Sequence, residues 1–147
     1  MPSLPIPPQE AILFDDERLY VCLASFPLTR GHSVVVWKKE VPDLHLLSHE
    51  EYEYLMDIVG VTRDALLKCL NIEKVYLMYM DEAKQVHWHL VPRYNEKGAN
   101  ILMHEPRETH DFSLADSLTR TFHIASNNVF TSTPAQRRTA TNPRHSI

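Results

Sequence analysis

The chain of 147 residues contains very little glycine, which occurs only at Gly31, Gly60 and Gly98. These three positions lie far apart, so neither of the common glycine-rich phosphate-binding motifs, G-x-G-x-x-G and G-x-x-x-x-G-K-S/T, can be written anywhere in the sequence. A protein of this composition that handles phosphate must therefore do so without a glycine-rich loop of either kind.

Cysteine, long apolar runs and targeting signals are also scarce. The only two cysteines, Cys22 and Cys69, lie in apolar stretches, and we expect buried free thiols in a reducing compartment rather than a disulfide. No apolar run approaches the roughly 20 residues that a membrane span requires. Residues 1–8 contain four prolines and no basic residue, which is unlike a signal peptide. The sequence therefore predicts a cytoplasmic protein without a membrane partner.

Charge is distributed unevenly along the chain. The formal net charge is −4, yet residues 131–147 contain three arginines and no acidic residue. The rest of the chain is consequently more acidic, which argues against broad nucleic-acid binding. The length fits one domain. We expect a proline-rich extension at residues 1–10, a folded domain at 11–126, and a basic tail without fixed structure at 127–147.

The hydrophobic pattern predicts five strands and two helices. The predicted strands lie at 11–14, 18–25, 32–38, 73–80 and 85–91, and the predicted helices at 48–71 and 111–126. Ser48 and Glu51 have the spacing of a capping box at the start of the longer helix, within which Gly60 would permit a close contact. Pro92 would end the last strand. This order predicts an α+β domain: a small antiparallel sheet of about five strands with one long helix and a C-terminal helix.

The segment Gln85–Arg93 carries an unusual row of polar side chains on an apolar strand. Because side chains alternate between the two faces of a strand, Gln85, His87 and His89 would share one face while the intervening apolar residues face the core. A single histidine in such a place is usually a structural residue with a satisfied partner. Two alternating histidines preceded by glutamine favour a functional site.

Two kinds of chemistry fit this row. A His-x-His pair on a strand can chelate zinc or iron, with His32, His45, His104 or a carboxylate as further ligands, but the spacing of the remaining residues does not favour a metal site. Alternatively, a neutral imidazole attacks phosphorus to form a phosphohistidine, while a neighbouring histidine or glutamine donates hydrogen bonds to the phosphate oxygens. We favour phosphoryl chemistry without a metal.

The segment resembles the signature of the histidine triad (HIT) family of nucleotide hydrolases and transferases. That signature is His-φ-His-φ-His-φ-φ, where φ is apolar, often followed by Pro-Arg, and here it reads Gln-Val-His-Trp-His-Leu-Val-Pro-Arg. A second segment, Phe26–Val36, contains Gly31-His32 and is similar to the turn and strand that precede the family's long helix. The similarity covers roughly residues 11–104, and it implies a HIT-like fold.

The resemblance also implies roles for individual residues. The middle histidine of the triad falls on His87, which would attack the α-phosphorus of a nucleotide and form a nucleotidyl-histidine that water then hydrolyses. The last falls on His89, which would contact the phosphate or the leaving group. His32 would orient or polarise a member of the triad, although a histidine on a buried strand also fits a purely structural role. The resemblance further implies a nucleotide substrate such as a diadenosine polyphosphate or a phosphoramidate, no cofactor, no tightly bound metal, and a homodimer.

The sequence departs from the family pattern at the first triad position and in the preceding loop. Gln85 replaces the first histidine, and we expect it to act as a phosphate-contacting substitute. The loop before it is short and has no glycine, so Lys84 is the only residue there that could bring positive charge to a phosphate. Lys84 equally fits an exposed turn.

A further departure concerns nucleoside recognition. Family members often carry an aspartate or asparagine for the ribose hydroxyls where this chain has Ala24. Phe14, Leu23 and Phe26 are candidates to line the base, although each of them also fits plain core packing. These departures leave a second interpretation open, in which the chain is a nucleotide-binding or regulatory protein with weak or no catalysis.

Overall fold

The computed structural model describes residues 4–80 and 82–131. Within these residues the chain forms five strands and three α-helices. They are β1 (Ile12–Asp15), β2 (Leu19–Leu23), β3 (Ser33–Trp37), α1 (His49–Leu70), β4 (Lys74–Tyr79), β5 (His87–Arg93), α2 (Ala99–Leu102) and α3 (Ala115–Thr131). The predicted α+β fold is confirmed. The expectations for residues 1–3, for Asp81 in the turn before β5, and for residues 132–147 lie outside the described part.

The strands form one antiparallel sheet in the order β1-β2-β3-β5-β4. Helices α1 and α3 pack on each other and on one face of the sheet, where Val35, Trp37 and Leu90 are buried in the core. Alternation along the strands therefore turns His87 and His89 toward the opposite face. The register of β3 against β5 sets His87 beside Val36 and His89 beside Val34.

The long helix α1 begins and ends where the sequence indicates. The Ser48 hydroxyl accepts a hydrogen bond from the Glu51 amide at 3.1 Å, and the Glu51 carboxylate accepts one from the Ser48 amide at 2.9 Å. This capping box satisfies two amides that have no partner inside the helix, a contribution of about 1 kcal/mol. At the other end Asn71 adopts the left-handed conformation, with φ of 51°, which terminates the helix.

Gly31 occupies a backbone conformation that side chains disfavour. Its φ is +87°, and a Cβ built there would lie 2.8 Å from Cδ1 of Leu70. Glycine tolerates both conditions because it has no side chain. Because of the turn at Gly31, the His32 side chain lies on the same face of the sheet as His87 and His89.

Pro92 lies inside β5 rather than ending it, contrary to the expectation. In an antiparallel strand the N–H and C=O of one residue point to the same side. The Pro92 carbonyl accepts a hydrogen bond from the Thr29 hydroxyl at 2.7 Å, so its nitrogen also faces the turn before β3. The β3 ladder on that side ends at the pair of Ser33 and Leu90. No ladder hydrogen bond is therefore lost, and β5 continues to Arg93.

Two helical expectations also differ from the structure. Helix α3 begins four residues later than expected because the Asp111 carboxylate accepts a hydrogen bond from the Ser113 amide at 3.0 Å, a local turn that competes with the helix. It extends to Thr131, beyond the expected end at residue 126, and Phe130 packs near Tyr54. The close contact expected at Gly60 is wrong, since a Cβ there would meet nothing within 4 Å.

Both cysteines are free thiols, as expected. Cys22 is buried, and burial raises its pKa to about 12, which makes the thiol unreactive. Cys69 is half-buried. Across the two described ranges, none of the helices combines the length and the apolar character needed to cross a membrane.

Candidate active site

A cleft of about 190 Å³ opens on the face of the sheet that the helices leave uncovered. His32, His87 and His89 all line it. The other lining residues are mostly apolar and come from the segments Leu4–Pro7 and Leu23–Phe26 and from the strand residues Tyr20, Cys22, Val34 and Val36. The structure therefore brings together three of the four predicted catalytic residues in one largely apolar cleft.

The His87 ring is oriented by the main chain two residues before it. Its Nδ1 lies 2.9 Å from the carbonyl oxygen of Gln85. Because a carbonyl oxygen only accepts hydrogen bonds, Nδ1 carries the proton, and Nε2 keeps its lone pair when the ring is neutral. His87 is 6% exposed. The ring is thus held in the tautomer that a nucleophilic imidazole requires.

A chain of hydrogen bonds fixes the tautomers of His32 and His89. The Leu28 amide donates to Nδ1 of His32 at 3.0 Å, so the proton of His32 is on Nε2. This Nε2 lies 3.0 Å from Nδ1 of His89 and donates to it. When neutral, His89 therefore carries its own proton on Nε2 and acts there as a hydrogen-bond donor.

Burial keeps this pair of imidazoles neutral. Desolvation, with a smaller contribution from His89, lowers the pKa of His32 to about 3. Desolvation, with a smaller contribution from His87, lowers the pKa of His89 to about 4. The two pKa values lie well below the reference histidine value of about 6.5. At neutral pH the pair therefore donates and accepts hydrogen bonds without carrying charge.

The arrangement suits attack on an electrophile by His87 with a proton donor alongside. The ring centroids of His87 and His89 are 5.0 Å apart. One ring offers a lone pair at Nε2, and the other offers an N–H that can stabilise developing negative charge. His32 also lines the cleft and donates to His89, and the orienting role that the family resemblance implies for it stays a prediction.

Gln85 takes a different position from the one expected. It precedes β5, and its side-chain amide donates to the Trp37 carbonyl at 2.9 Å. The residue is buried but is not part of the cleft lining. Its Oε1 is buried and accepts no hydrogen bond within the described residues. The structure therefore does not bring the Gln85 side chain together with the three histidines.

The four predicted substrate-binding residues divide into two groups. Leu23 and Phe26 line the cleft, and Phe26 is 53% exposed. Phe14 instead packs against Phe122 of α3, with ring centroids 5.0 Å apart, on the helix-covered side. Lys84 is exposed in the turn before β5 and does not line the cleft. Leu23 and Phe26 thus remain candidates for contact with the nucleobase of a nucleotide.

Sequence reasoning missed a polar neighbour of the cleft. A second cavity of about 220 Å³ shares Leu23, Ala24 and His32 with it and is also lined by Thr109, Asp111 and Ser113. The Thr109 amide donates to the Ser25 carbonyl at 2.8 Å, which ties this segment to the end of β2. Asp111 and Ser113 lie at the start of the helix predicted over 111–126, so the hydrophobic pattern gives no indication of this cavity.

The possible metal ligands do not assemble as a chelating site. In residues 4–80 and 82–131, no group of three or more histidine, cysteine, aspartate or glutamate side chains is arranged to hold a metal ion. Of the further ligands considered from the sequence, His45 contacts Asp43, and His104 contacts Glu96 and the Leu28 carbonyl.

Comparison with known proteins identifies the family of the chain. A model of the HIT domain matches residues 8–96. Because this match covers more than half of the chain, the chain belongs to the HIT family. No curated protein matches the chain significantly. Family membership supports a role in nucleotide binding or hydrolysis.

Solved structures show the same fold at low sequence identity. The NitFhit protein of C. elegans has a TM-score of 0.59 and 21% identity, over 82% of this chain and 28% of that one; this chain thus spans less than a third of NitFhit. A zinc-bound histidine triad family protein from Mycobacterium smegmatis has a TM-score of 0.59 and 20% identity, over 82% and 86%. Diadenosine triphosphate hydrolase from Plasmodium falciparum, solved with cyclomarin A, has a TM-score of 0.52 and 13% identity, over 86% and 80%.

Proposed function

We propose that this protein is a nucleotide hydrolase that cleaves a nucleoside phosphoanhydride or phosphoramidate, such as a diadenosine polyphosphate, through a covalent nucleotidyl-His87 intermediate. The observation that carries the proposal is the tautomer of His87: its Nδ1 is bound to the Gln85 carbonyl, and Nε2 keeps a lone pair in a cleft. The similarity in fold to a diadenosine triphosphate hydrolase supports the class of substrate.

The proposed reaction proceeds in two steps that use only groups of this chain and water. Nε2 of His87 attacks the α-phosphorus, the bond to the leaving group breaks, and the leaving group departs with the electron pair. The N–H of His89 donates to the phosphate or the leaving group as negative charge develops there. Water then attacks phosphorus and releases a proton to the solvent, the N–P bond breaks, and its electron pair returns to Nε2 of His87. This sequence needs no cofactor.

The surroundings of the histidines suit a nucleoside. The exposed side chains of Ile6 and Phe26 lie at the cleft and offer apolar surface to a base. Ala24 provides no polar group for the sugar, but Asp111 and Ser113 line the adjoining cavity. Hydroxyl groups of a sugar placed beside Ala24 would find hydrogen-bond partners there.

The test compares wild type with His87→Asn on diadenosine triphosphate and on adenosine phosphoramidate. We expect His87→Asn to lower kcat at least about 1,000-fold, because the nucleophile is lost. We also expect acid-quenched wild type, but not the variant, to carry a nucleotidyl group detectable by intact mass. His49→Asn is the matched control, since His49 is exposed at the start of α1.

Three results would contradict the proposal. One is His87→Asn that retains turnover. Another is wild-type turnover that disappears with a chelator and returns with zinc. The third is nucleotide binding by wild type without turnover, which would favour the alternative of a nucleotide-binding protein with weak or no catalysis. One observation supports this alternative: the Gln85 side-chain amide donates to the Trp37 carbonyl, so it is not available to contact a phosphate.

We also propose that two copies of the chain associate, as the family resemblance implies. Strand β4 is an edge strand with β5 as its single neighbour in the sheet. Leu77 on β4 and Met80 just beyond it are 40% and 46% exposed, and Tyr52 on α1 is 41% exposed. An uncovered edge with exposed apolar side chains is suited to pairing with a second chain.

A further inference from the structure

His104 lies between two hydrogen-bond acceptors. Its Nδ1 is 2.7 Å from the Leu28 carbonyl oxygen, and its Nε2 is 2.6 Å from a carboxylate oxygen of Glu96. A neutral imidazole donates from only one of its nitrogens, whereas an imidazolium donates from both. The geometry at His104 is therefore that of a cation which holds a carbonyl on one side and a carboxylate on the other.

Leu28 connects this cation to the catalytic cleft. While its carbonyl accepts from His104, its amide donates to Nδ1 of His32 at 3.0 Å, and His32 is bonded in turn to His89. One residue of the turn before β3 thus contacts both His104 and His32. Any shift of Leu28 would move the donor that determines the tautomer of His32.

Contacts with residues outside the turn also hold it at the residues that follow Leu28. The Thr29 hydroxyl donates to the Pro92 carbonyl at 2.7 Å, and the Tyr94 hydroxyl donates to the Arg30 carbonyl at 2.5 Å. These contacts act one and two residues after Leu28, and they do not involve its carbonyl. Within the described residues, His104 is the side chain that donates to the Leu28 carbonyl.

The charges around His104 favour its cationic form. Acceptance by the Leu28 carbonyl, followed by the contact with Glu96, raises the pKa of His104 above its ordinary value. The titratable and charged groups that line the same cavity, of about 340 Å³, are Glu96, Arg30 and Tyr94. Of these, Glu96 contacts the ring. The cation is lost as the pH rises through this raised pKa.

We propose that His104 is a positioning residue for the histidine cluster. As a cation it holds the Leu28 carbonyl, and through the main chain of Leu28 it fixes the orientation and tautomer of His32 and His89. The kinetic consequence rests on the nucleotide hydrolysis proposed above. The structural consequence does not depend on it, so the two can be tested separately.

The structural test uses imidazole ¹⁵N spectra of the whole protein, which distinguish the two tautomers. We expect wild-type His32 to carry its proton on Nε2 at neutral pH and its resonances to move as His104 titrates. In His104→Ala we expect a mixture of tautomers at His32. His49→Ala is the matched control, because it removes an exposed histidine that pairs with Glu53 through Nε2.

A His32 signal that is identical in wild type and His104→Ala would overturn the proposal. Should His104→Ala fail to fold, wild type and Glu96→Gln decide the question in the same spectra. The His32 resonances must then follow the titration of His104, and the midpoint of that titration must be lower in Glu96→Gln. His32 resonances that do not change as His104 titrates would also overturn the proposal.

The kinetic test follows kcat against pH. We expect wild-type kcat to fall on the alkaline side, with a midpoint above the reference value of about 6.5, and Glu96→Gln to shift this midpoint to lower pH. His104→Ala should lose about 10-fold in kcat at neutral pH with little change in KM, because the reacting groups are misplaced. His104→Lys retains a positive charge and should lose less.

The two possible failures are distinguishable. Wild type without turnover would contradict the proposed hydrolysis and leave the spectra to decide the role of His104. Turnover in His104→Ala that equals wild type at every pH would contradict the positioning role and leave the hydrolysis proposal intact.

Discussion

At the scale of single residues, the clustered histidines make the fold sensitive to acid. His32 is 4% exposed, and burial lowers its pKa to about 3. In the unfolded chain the same ring titrates near the reference value of about 6.5. As the pH falls below that value, the unfolded state binds protons before the folded state does. The free energy of unfolding should therefore decrease until the pH approaches the folded pKa.

This behaviour gives a prediction for denaturant unfolding between pH 7 and pH 4. Replacing His32 with asparagine should make the acid-induced decrease shallower, because each such histidine contributes at most about 1.4 kcal/mol per pH unit. His49→Asn, at an exposed site, should keep the wild-type slope. Equal slopes for His32→Asn and wild type would show that His32 titrates normally in the folded protein.

The sequence predicts those site residues that depend on local geometry. Strand alternation is enough to turn His87 and His89 to one face. It fails for Gln85 because this residue precedes the first residue of β5 and directs its amide to Trp37. Strand alternation also gives no indication of the role of His104, because the contact of His104 with Leu28 joins residues 76 positions apart. Contacts of that kind depend on how loops close, which periodicity does not encode.

At the scale of elements, the two glycines of the chain's first half serve different purposes. Gly60 lies within α1, where an added Cβ would meet open space. Gly60→Ala should therefore raise the free energy of unfolding by about 1 kcal/mol, since alanine favours a helix over glycine by that amount. Thermal or chemical denaturation measures the change.

Gly31→Ala is the contrasting variant. Gly31 has a positive φ, and an added Cβ would lie too close to Leu70. The substitution should therefore lower the free energy of unfolding by roughly 1–2 kcal/mol. A decrease in stability for Gly60→Ala would indicate that another surface packs against this part of α1 in solution.

The observed element boundaries show which sequence signals predict where a helix or strand begins and ends. The capping box at Ser48 and the left-handed stop at Asn71 locate α1 because both act within a few residues. The expected strand end at Pro92 is wrong because a missing amide matters only where a neighbouring strand would use it. The expected start of α3 is wrong because the turn of Asp111 and Ser113 replaces the first helical turn there.

At the scale of the whole molecule, the edge strand β4 leads to a prediction about assembly. Light scattering should give wild type twice the chain mass of 17.1 kDa, and Leu77→Glu should shift the protein to the mass of one chain because charge on an edge strand opposes pairing. Ile124→Glu is the control, since Ile124 on α3 is also exposed. Wild type that stays at the mass of one chain at every concentration would contradict the dimer.

The proton positions in the cleft start from two main-chain atoms, the Gln85 carbonyl oxygen and the Leu28 amide nitrogen. Every amino acid brings the same carbonyl, and every amino acid except proline brings the same amide. Substitutions at positions 28 and 85 can thus accumulate while the protons on His87 and His32 stay where they are. The path of the backbone therefore determines these proton positions, and the side chain at position 85 does not determine the tautomer of His87.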